Sequence, residues 1–430
     1  MQQQNRWIVG IAVSIGNQLD IVGAHTRSSV HRWVQSPTSH SFLSRARLRE
    51  SWRELVLYEA CSTATQSTPL QVRIQAEIDD GHSEAAQFAI GLDGEIVAGA
   101  SFGSATSDSR FVIFSATKVT VAMALLPHLA DGSVELTAPV ARYLQGFGDN
   151  GKGEVTVLQL LTMQGGFPQA PIGPDRWGTS EGRRQQFAEW RLAWPAGTRT
   201  EYHPIAAHWV IAELIETMSG RPYADVVNER VAASAGAKAV LGSAAVDAGG
   251  PAVPIRTAGS VPPHEHLLEA FGRADLVPDT TVSPELLLAL NDPRAQAAAI
   301  PGGGGIARAV DIALIYQSFV NNPTKRHPAD WLADATTTIR NGSINHSDGV
   351  PANRTIAGVV SGADGMNDYR WFPHIPRAFG HAGAGGQLCW VDVDSGMSFC
   401  FLHDTLQLDP SHDLRRCREL NALAIACVRP

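Results

Sequence analysis

Several features that would assign a chain to a broad class are missing here. No run approaches the roughly 18 consecutive apolar residues needed to span a bilayer, so no transmembrane segment is expected. Charge of one sign is never concentrated. The formal net charge of −8 is spread over 430 residues without long runs, and the basic footprint of a nucleic-acid binder is absent. Cysteine is sparse: Cys61, Cys389, Cys400, Cys417 and Cys427 form no C-x-x-C pair and cannot all pair with one another, which argues against a disulfide framework. Cys389 and Cys400 lie in apolar, strand-like surroundings and read as small buried hydrophobes. No repeat recurs at a fixed period. The only targeting candidate is "WIVGIAVSIG" at 7–16, which has the length of a signal segment but no clear small-x-small cleavage site after it. A cytoplasmic protein is expected, with export through a weak amino-terminal signal as the alternative.

What is present is enough apolar material for a large core: 44% of residues are hydrophobic and 18% charged, the balance of a globular chain. The length admits two or three domains or one body with an inserted lobe, and the second is expected. Residues 1–70 carry seven Arg against four acidic residues and show no sustained hydrophobic period. They read as an amino-terminal extension with one helix, "ESWRELVLYEA" at 50–60, and residues 71–430 as the folded domain.

From Ala85 the texture changes. Apolar runs flank Leu92-Asp93-Gly94, and Asp-Gly between such runs is a strong hairpin signal, so residues 85–103 are expected to form a β-hairpin. "GQLCWVDVD" and "GMSFCFLHD" flank Asp394-Ser395-Gly396 in the same way, and a closing helix is expected over 410–427. Between these ends "ATKVTVAMALLPHLADG", "TVLQLLTMQ", "AAHWVIAELIETMSG" and "IARAVDIALIYQSFV" show apolar spacing near 3.6. The pattern implies an α+β fold: a sheet built from both chain ends, flanked by helices, with a helical lobe inserted over roughly 115–300. Residues 242–301, rich in Ala, Gly and Pro, read as surface loops with short helices.

Two serines compete as nucleophile. Gly99-Ala100-Ser101-Phe102-Gly103 matches G-x-S-x-G, but a nucleophile elbow needs a strand that turns sharply into a helix, and here a polar loop, "SATSDSR", follows. Ser115 passes the corresponding test. Apolar "FVIF" precedes it, and a periodic stretch runs on to Ala130 before Asp131-Gly132, so Ser115 opens a buried helix. Lys118, three residues on, shares its face. A serine and a lysine so placed can act as nucleophile and base if burial favours the neutral amine.

At this point the chain resembles the serine β-lactamase and penicillin-binding-protein superfamily, in its class C-like branch with family VIII carboxylesterases and actinobacterial lipase-like proteins. The resemblance runs from about residue 71 to the end. It rests on "FVIFSATK" (111–118), "LTAPVARYLQGF" (136–147) with "VTVLQLLTMQGG" after it, "PAGTRTEYHPIAAHWVIAELIETMSGRPY" (195–223), "IPGGGGIARAVDIALIYQ" (300–317) and "FGHAGAGGQLCWVDVDSGMSF" (379–399). It implies a β-lactamase-like fold with a central antiparallel sheet. It also implies that Tyr202 takes the place of the family's tyrosine in the Y-x-N block, shuttling a proton together with Lys118. His381-Ala382-Gly383 then takes the place of the K-T-G strand, with His381, Gly383 and Ala384 at the substrate and the backbone N–H groups of Ser115 and Ala384 as the oxyanion hole.

Three departures bear on substrate. Pro204 stands where lactam-processing members have an Asn that contacts the substrate amide. His381 stands where they carry a lysine that attracts a carboxylate, and a largely neutral imidazole suits an uncharged ester better. Met163 replaces a common His at what reads as a packing position. The expected activity is that of a serine hydrolase acting on small carboxylic esters through an acyl-enzyme, without cofactor or metal. A β-lactamase or D,D-peptidase, an acyltransferase and a noncatalytic scaffold are the alternatives. Gly302 to Gly305 lack the Lys-Ser/Thr of a phosphate loop and read as a tight backbone approach near the pocket. His264-Glu265-His266 shows no third metal ligand and reads as a surface loop.

Overall fold

The computed structural model describes residues 67–263, 265, 282–321 and 328–428. The helix expected over 50–60, the candidate signal at 7–16, Cys61, His264 and His266 lie outside them.

Asp93 and Gly94 both take positive φ, 53° and 89°, the turn geometry that matches the twist of flanking strands. They join β1, Ala85–Leu92, to β2, Glu95–Gly103. The short β3, Phe111–Val112, leads through a single 3₁₀ turn into helix α2, Thr117–Ala130. The main lobe helix is α3, Ala206–Ser219, which packs on α2. Strand β4, Arg256–Ala258, lies within the stretch expected as loops, alongside short helices at Gly242–Asp247, Pro284–Leu288 and Pro293–Ala297. It is recruited by parallel pairing with a distant strand, β10, Thr405–Gln407, a tertiary cause that a local pattern does not carry. Strand β5, Ile306–Ala307, pairs with β3 and precedes α4, Ala309–Asn321.

The chain then returns to the sheet as β6, Val359–Val360; β7, Ala378–Gly380; β8, Leu388–Asp392; and β9, Ser398–His403. Helix α5, Pro410–Ala426, closes the fold. The six-stranded sheet has the order β2-β1-β9-β8-β7-β6, and every neighbouring pair is antiparallel. The architecture is α+β.

Both faces of this sheet are covered, which is why its strands read as continuous apolar runs rather than alternating ones. Along β9, Phe399 and Phe401 point into one core and Cys400 and Leu402 into the other; along β8, Trp390 faces with the phenylalanines and Cys389 and Val391 oppose it. Cys389 and Cys400 are directly opposed across the strands, buried, with sulfurs 3.8 Å apart. One layer is α4 with the helical lobe. The other is α5 with α1, Pro69–Asp79, a helix absent from the sequence reading. Its signals were local: Thr68 and Gln71 form a reciprocal capping box with Pro69 at the first helical position.

A buried ionic cluster ties these outer helices to the sheet. Arg416 on α5, with no exposed surface, bonds Asp413 Oδ1 at 2.6 Å, the Gly385 carbonyl at 2.6 Å and Glu77 Oε2 at 3.4 Å. Burial alone would raise the Glu77 carboxyl, but the hydrogen bond from His412 and the Arg416 charge hold it well below the usual range. Burial pushes Asp413 up to about 7. Removing one member of such a cluster strands its partners, so Arg416→Met is expected to cost about 3–5 kcal/mol. Urea unfolding at pH 7 measures this, and a loss below about 1 kcal/mol would contradict the role given to the cluster.

Candidate active site

The site begins with the entry to α2. Phe114 is held at φ +44°, a costly region for a bulky L-residue, and this bend turns the chain out of β3 so that Ser115 sits half-buried at the start of the helix. All of α2 but Pro127 and Ala130 is buried, including Lys118, which is 1% exposed. Its ammonium donates to Ser115 Oγ at 3.1 Å and to the Gly302 carbonyl at 2.5 Å. Tyr202 comes from the loop before α3 and donates its phenol hydrogen to the same Ser115 Oγ at 2.8 Å, with the lysine nitrogen 5.0 Å from its ring centre.

The run at Gly302 to Gly305 makes this approach possible. A Cβ on Gly302 would lie 2.9 Å from Pro204 O and Ile205 Cα, and one on Gly305 would lie 2.7 Å from Thr117 Oγ1, which instead accepts the Gly305 N–H at 2.9 Å. Gly383 works likewise. A side chain there would meet the Ile113 carbonyl at 2.4 Å, so its lack of one makes room for the backbone leading to Ser115. Ala384 follows, and no acceptor among the described residues takes its N–H. Ser115, Tyr202, His381, Gly383 and Ala384 all line one cavity of about 360 Å³, whose other walls include Val282, Leu287, Trp371, Phe372 and Leu406. Ser101 lies on the edge strand β2, paired to Gln87, away from this cavity.

Three imidazoles near the site are held neutral, and one of them packs against the phenol. His381, 8% exposed, stands with its ring centre 5.9 Å from that of Tyr202, and Nδ1–H donates to the Ala382 carbonyl at 2.7 Å. Burial, then the nearby Arg354 and Lys118 charges, hold it well below the ordinary histidine range. Burial does the same to His208 on α3, which bonds the Lys118 backbone. His203 is completely buried; its Nδ1–H donates to Glu201 O at 2.7 Å, and Nε2 accepts from Phe167 N–H at 3.3 Å.

Three contributors escaped the sequence reading. Asn345 Oδ1 accepts the Tyr202 N–H at 3.0 Å. Met163 is more than packing: at φ +62° it lines the cavity, and its sulfur accepts the His203 N–H at 3.4 Å. Arg354 lines the cavity with its guanidinium carbon 5.3 Å from the Tyr202 ring centre. No motif marks Asn345 or Arg354; both arrive on a segment without regular period. The described residues contain no cluster of three or more side chains suited to a metal ion, and none of their helices is long and apolar enough to cross a membrane.

Comparison with known proteins adds the following. The family profile Beta-lactamase matches residues 70–424. The esterase/beta-lactamase LipL of Mycobacterium tuberculosis is 25% identical over 325 residues, covering 70% of each chain. Two solved structures are similar in fold. A penicillin-binding-protein homologue from Caulobacter crescentus has a TM-score of 0.67 at 19% identity, covering 85% of this chain and 100% of that one. A family VIII carboxylesterase has a TM-score of 0.65 at 22% identity, covering 84% and 99%.

The His203 pairing requires a neutral ring, because a protonated Nε2 could not accept from Phe167. Burial lowers its folded pKa to about 4 against an ordinary 6.5. Between those values the unfolded chain binds a proton that the folded one refuses, so stability present above pH 6.5 is lost as pH falls, by up to about 1.4 kcal/mol per pH unit. His203→Gln, which does not titrate, should flatten the acid slope by that amount. Urea unfolding at pH 7, 6 and 5 tests it; equal slopes in the two proteins would refute it.

Proposed function

From its membership of the Beta-lactamase family, to which the chain belongs, we propose that this serine hydrolase cleaves small carboxylic esters, with Ser115 as nucleophile and Lys118 and Tyr202 as its proton-transfer pair. The observation that carries the reading is the convergence of Lys118 Nζ and Tyr202 OH on Ser115 Oγ, at 3.1 and 2.8 Å, on the wall of a largely apolar cavity.

In this mechanism one of the pair, Lys118 or Tyr202, first releases its proton to solvent, and Ser115 Oγ then attacks the acyl carbon as its own proton passes to that group. The N–H groups of Ser115 and Ala384 receive the oxyanion. The carbon–oxygen bond to the alcohol breaks, the alcohol leaves with the transferred proton, and an acyl-serine remains. Water then attacks that ester, giving a proton to the same pair, and Ser115 is released with the carboxylic acid. Lys118, held by the Gly302 carbonyl, keeps its amine within reach of Ser115 throughout.

The preference for an ester over a lactam is supported by Pro204, which has no side-chain amide to offer a substrate, by the apolar walls, and by the family VIII carboxylesterase among the similar structures.

A fluorophosphonate probe is expected to label Ser115 and not Ser101, as read by peptide mass, and Ser115→Ala should abolish turnover of p-nitrophenyl butyrate. Lys118→Ala and Tyr202→Phe should each lower kcat by about a hundredfold or more. A folded variant of either with near-normal kcat would overturn the pairing.

Substrate class is tested separately. Forgoing one neutral hydrogen bond to the lactam side chain costs about 0.5–1.5 kcal/mol, roughly twofold to tenfold in kcat/KM, and an ester does not need that contact. With one preparation assayed on both, kcat/KM for p-nitrophenyl butyrate should exceed that for nitrocefin. The opposite order would reassign the protein to lactam hydrolysis.

A further inference from the structure

Ala384 lies in the tight link between β7 and β8, and that link is held by side chains that do not touch the cavity. Gly385 and Gly386 both take positive φ, 72° and 81°, which a link this short demands. The Gly385 carbonyl accepts from His403 Nε2–H at 2.8 Å and from Arg416 Nη2 at 2.6 Å, and neither donor residue is on the cavity wall. Arg416 has its other bonds to Asp413 and Glu77, so its place is set by the ionic cluster. His403 has no ionic partner of this kind to explain it.

Its ring is nevertheless closely fixed. His403 is 2% exposed and stacks on Phe401 with ring centres 5.3 Å apart. A carbonyl can only accept, so Nε2 carries the hydrogen; Nδ1 is then bare, and it accepts the Thr405 N–H at 3.3 Å. Both contacts demand the same neutral tautomer, and burial, then the Arg416 charge, hold the ring well below the ordinary histidine range. The backbone of His403 is clamped by the Gln387 side chain, which accepts its N–H at 3.0 Å and donates to its carbonyl at 2.8 Å. The Gln387 carbonyl in turn accepts the Gly383 N–H at 2.9 Å.

Two peptide units connect His403 to the Ala384 N–H. The Gly385 carbonyl shares its unit with the Gly386 N–H, which donates to the Gly383 carbonyl at 3.2 Å. The Gly383 carbonyl shares its unit with the Ala384 N–H. Each unit is planar, so fixing its carbonyl fixes the direction of its N–H. A 3.2 Å bond is at the long end of the normal range, and the turn by itself holds the Ala384 donor loosely.

We propose that His403 is a positioning residue for acyl transfer, fixing the Gly385 carbonyl so that the Ala384 N–H stays aimed at the oxygen on which negative charge develops. The proposal rests on the reading of Ser115 as nucleophile and of the Ala384 N–H as an oxyanion donor. Loss of the His403 bond weakens the transition state and leaves the binding of intact ester unchanged. The relay also runs in reverse: when the Ala384 N–H donates to an oxyanion, the Gly383 carbonyl becomes a stronger acceptor, and the polarisation passes through Gly386 to the bond between Gly385 and His403.

The experiment uses 1,1,1-trifluorohexan-2-one. Ser115 Oγ bonds to its carbonyl carbon as the serine proton passes to the Lys118–Tyr202 pair, leaving a tetrahedral adduct with the negative charge on the former ketone oxygen. In His403→Leu, kcat/KM for p-nitrophenyl butyrate should fall about tenfold or more per fluorophosphonate-titrated site, and the inhibition constant of the ketone should rise by a similar factor. Both are part of the roughly 10²–10³ that losing an oxyanion donor outright costs. Calorimetric binding of p-nitrophenyl butyrate in the Ser115→Ala background should be the same with and without His403→Leu, since a packing role would not separate ester from adduct. His403→Gln, whose amide nitrogen can take the place of Nε2, should recover most of the loss. In the natural protein labelled with 15N-histidine, the His403 Nε2–H resonance should move downfield when the adduct forms, and should stay in place when the ketone is added to Ser115→Ala; this reading needs no folded His403 variant. Unchanged kcat/KM and ketone inhibition in His403→Leu, ester binding that weakens as much as adduct binding, a His403→Gln protein no better than His403→Leu, or a His403 resonance indifferent to the adduct would each overturn the proposal. A natural protein that neither hydrolyses ester nor forms the adduct overturns the hydrolase reading instead, whereas turnover and adduct formation that ignore His403 overturn the positioning role alone.

Discussion

A lysine ammonium with 1% of its surface exposed is the constraint around which the site is arranged. Taking such a charge out of water costs several kcal/mol unless close acceptors replace the water, and a helix in the middle of an apolar lobe offers few. One acceptor comes from the preceding turn, Ser115 Oγ at 3.1 Å, and the other from far along the chain, the Gly302 carbonyl at 2.5 Å. Delivering that carbonyl requires Gly302 to lie against Pro204 and Ile205, and Gly305 against Thr117 of α2, at distances no side chain would tolerate. The pairing of β3 with β5 and the Gly305 N–H to Thr117 Oγ1 bond hold it there. The strained Phe114 and the missing Cβ of Gly383 serve the same placement from the sheet side.

The phenol of Tyr202 depends on a second, looser frame. Its loop has no regular structure of its own and is fixed through Asn345, Met163 and the two hydrogen bonds of His203. Each of these acceptors is neutral, as are the buried rings of His381 and His208. The choice has a physical reason. A carboxylate in any of these places would pair with Lys118 or Arg354 and pull the cation out of line, whereas an imidazole held neutral by burial fills space and gives directional bonds without altering the local charge.

How far the sequence reached follows from how local each signal was. Ser115 and Lys118 are three residues apart on one helix, so their meeting is set by helical geometry, and the structure brings them to 3.1 Å. Asp93-Gly94 and Asp394-Ser395-Gly396 announced both hairpins because turn chemistry is local. The first helix, with its capping box at Thr68 and Gln71, was legible by the same rule and was passed over because the preceding stretch has no period. Tyr202 drew its meaning from its company: its phenol reaches Ser115 across 87 positions of sequence, a distance over which only the resemblance connected the blocks. Arg354 and Asn345 had no such block. They are delivered by isolated bridges between 341, 345, 350, 354 and 359, contacts that no hydrophobic period or turn residue encodes.

The charge balance of the cavity links these features to chemistry. The chain as a whole is negative, yet the groups beside Tyr202 among the described residues include Lys118, Arg354 and the neutral His381, while burial raises the carboxyl of the half-buried Asp348 above its ordinary value. In a site of low effective dielectric such a balance acts strongly on any developing negative charge. Acyl transfer to serine generates negative charge twice, first on the carbonyl oxygen and finally on the carboxylate product, so one field favours both the reaction and the retention of its product. Neutral histidines keep that field from growing further. If His381 and His208 were ionised beside Lys118 and Arg354, an oxyanion would be better stabilised, but the carboxylate formed at the end would be held in the same place, and turnover would be limited by its departure. Burying the imidazoles therefore sets an upper bound on the positive charge of the pocket.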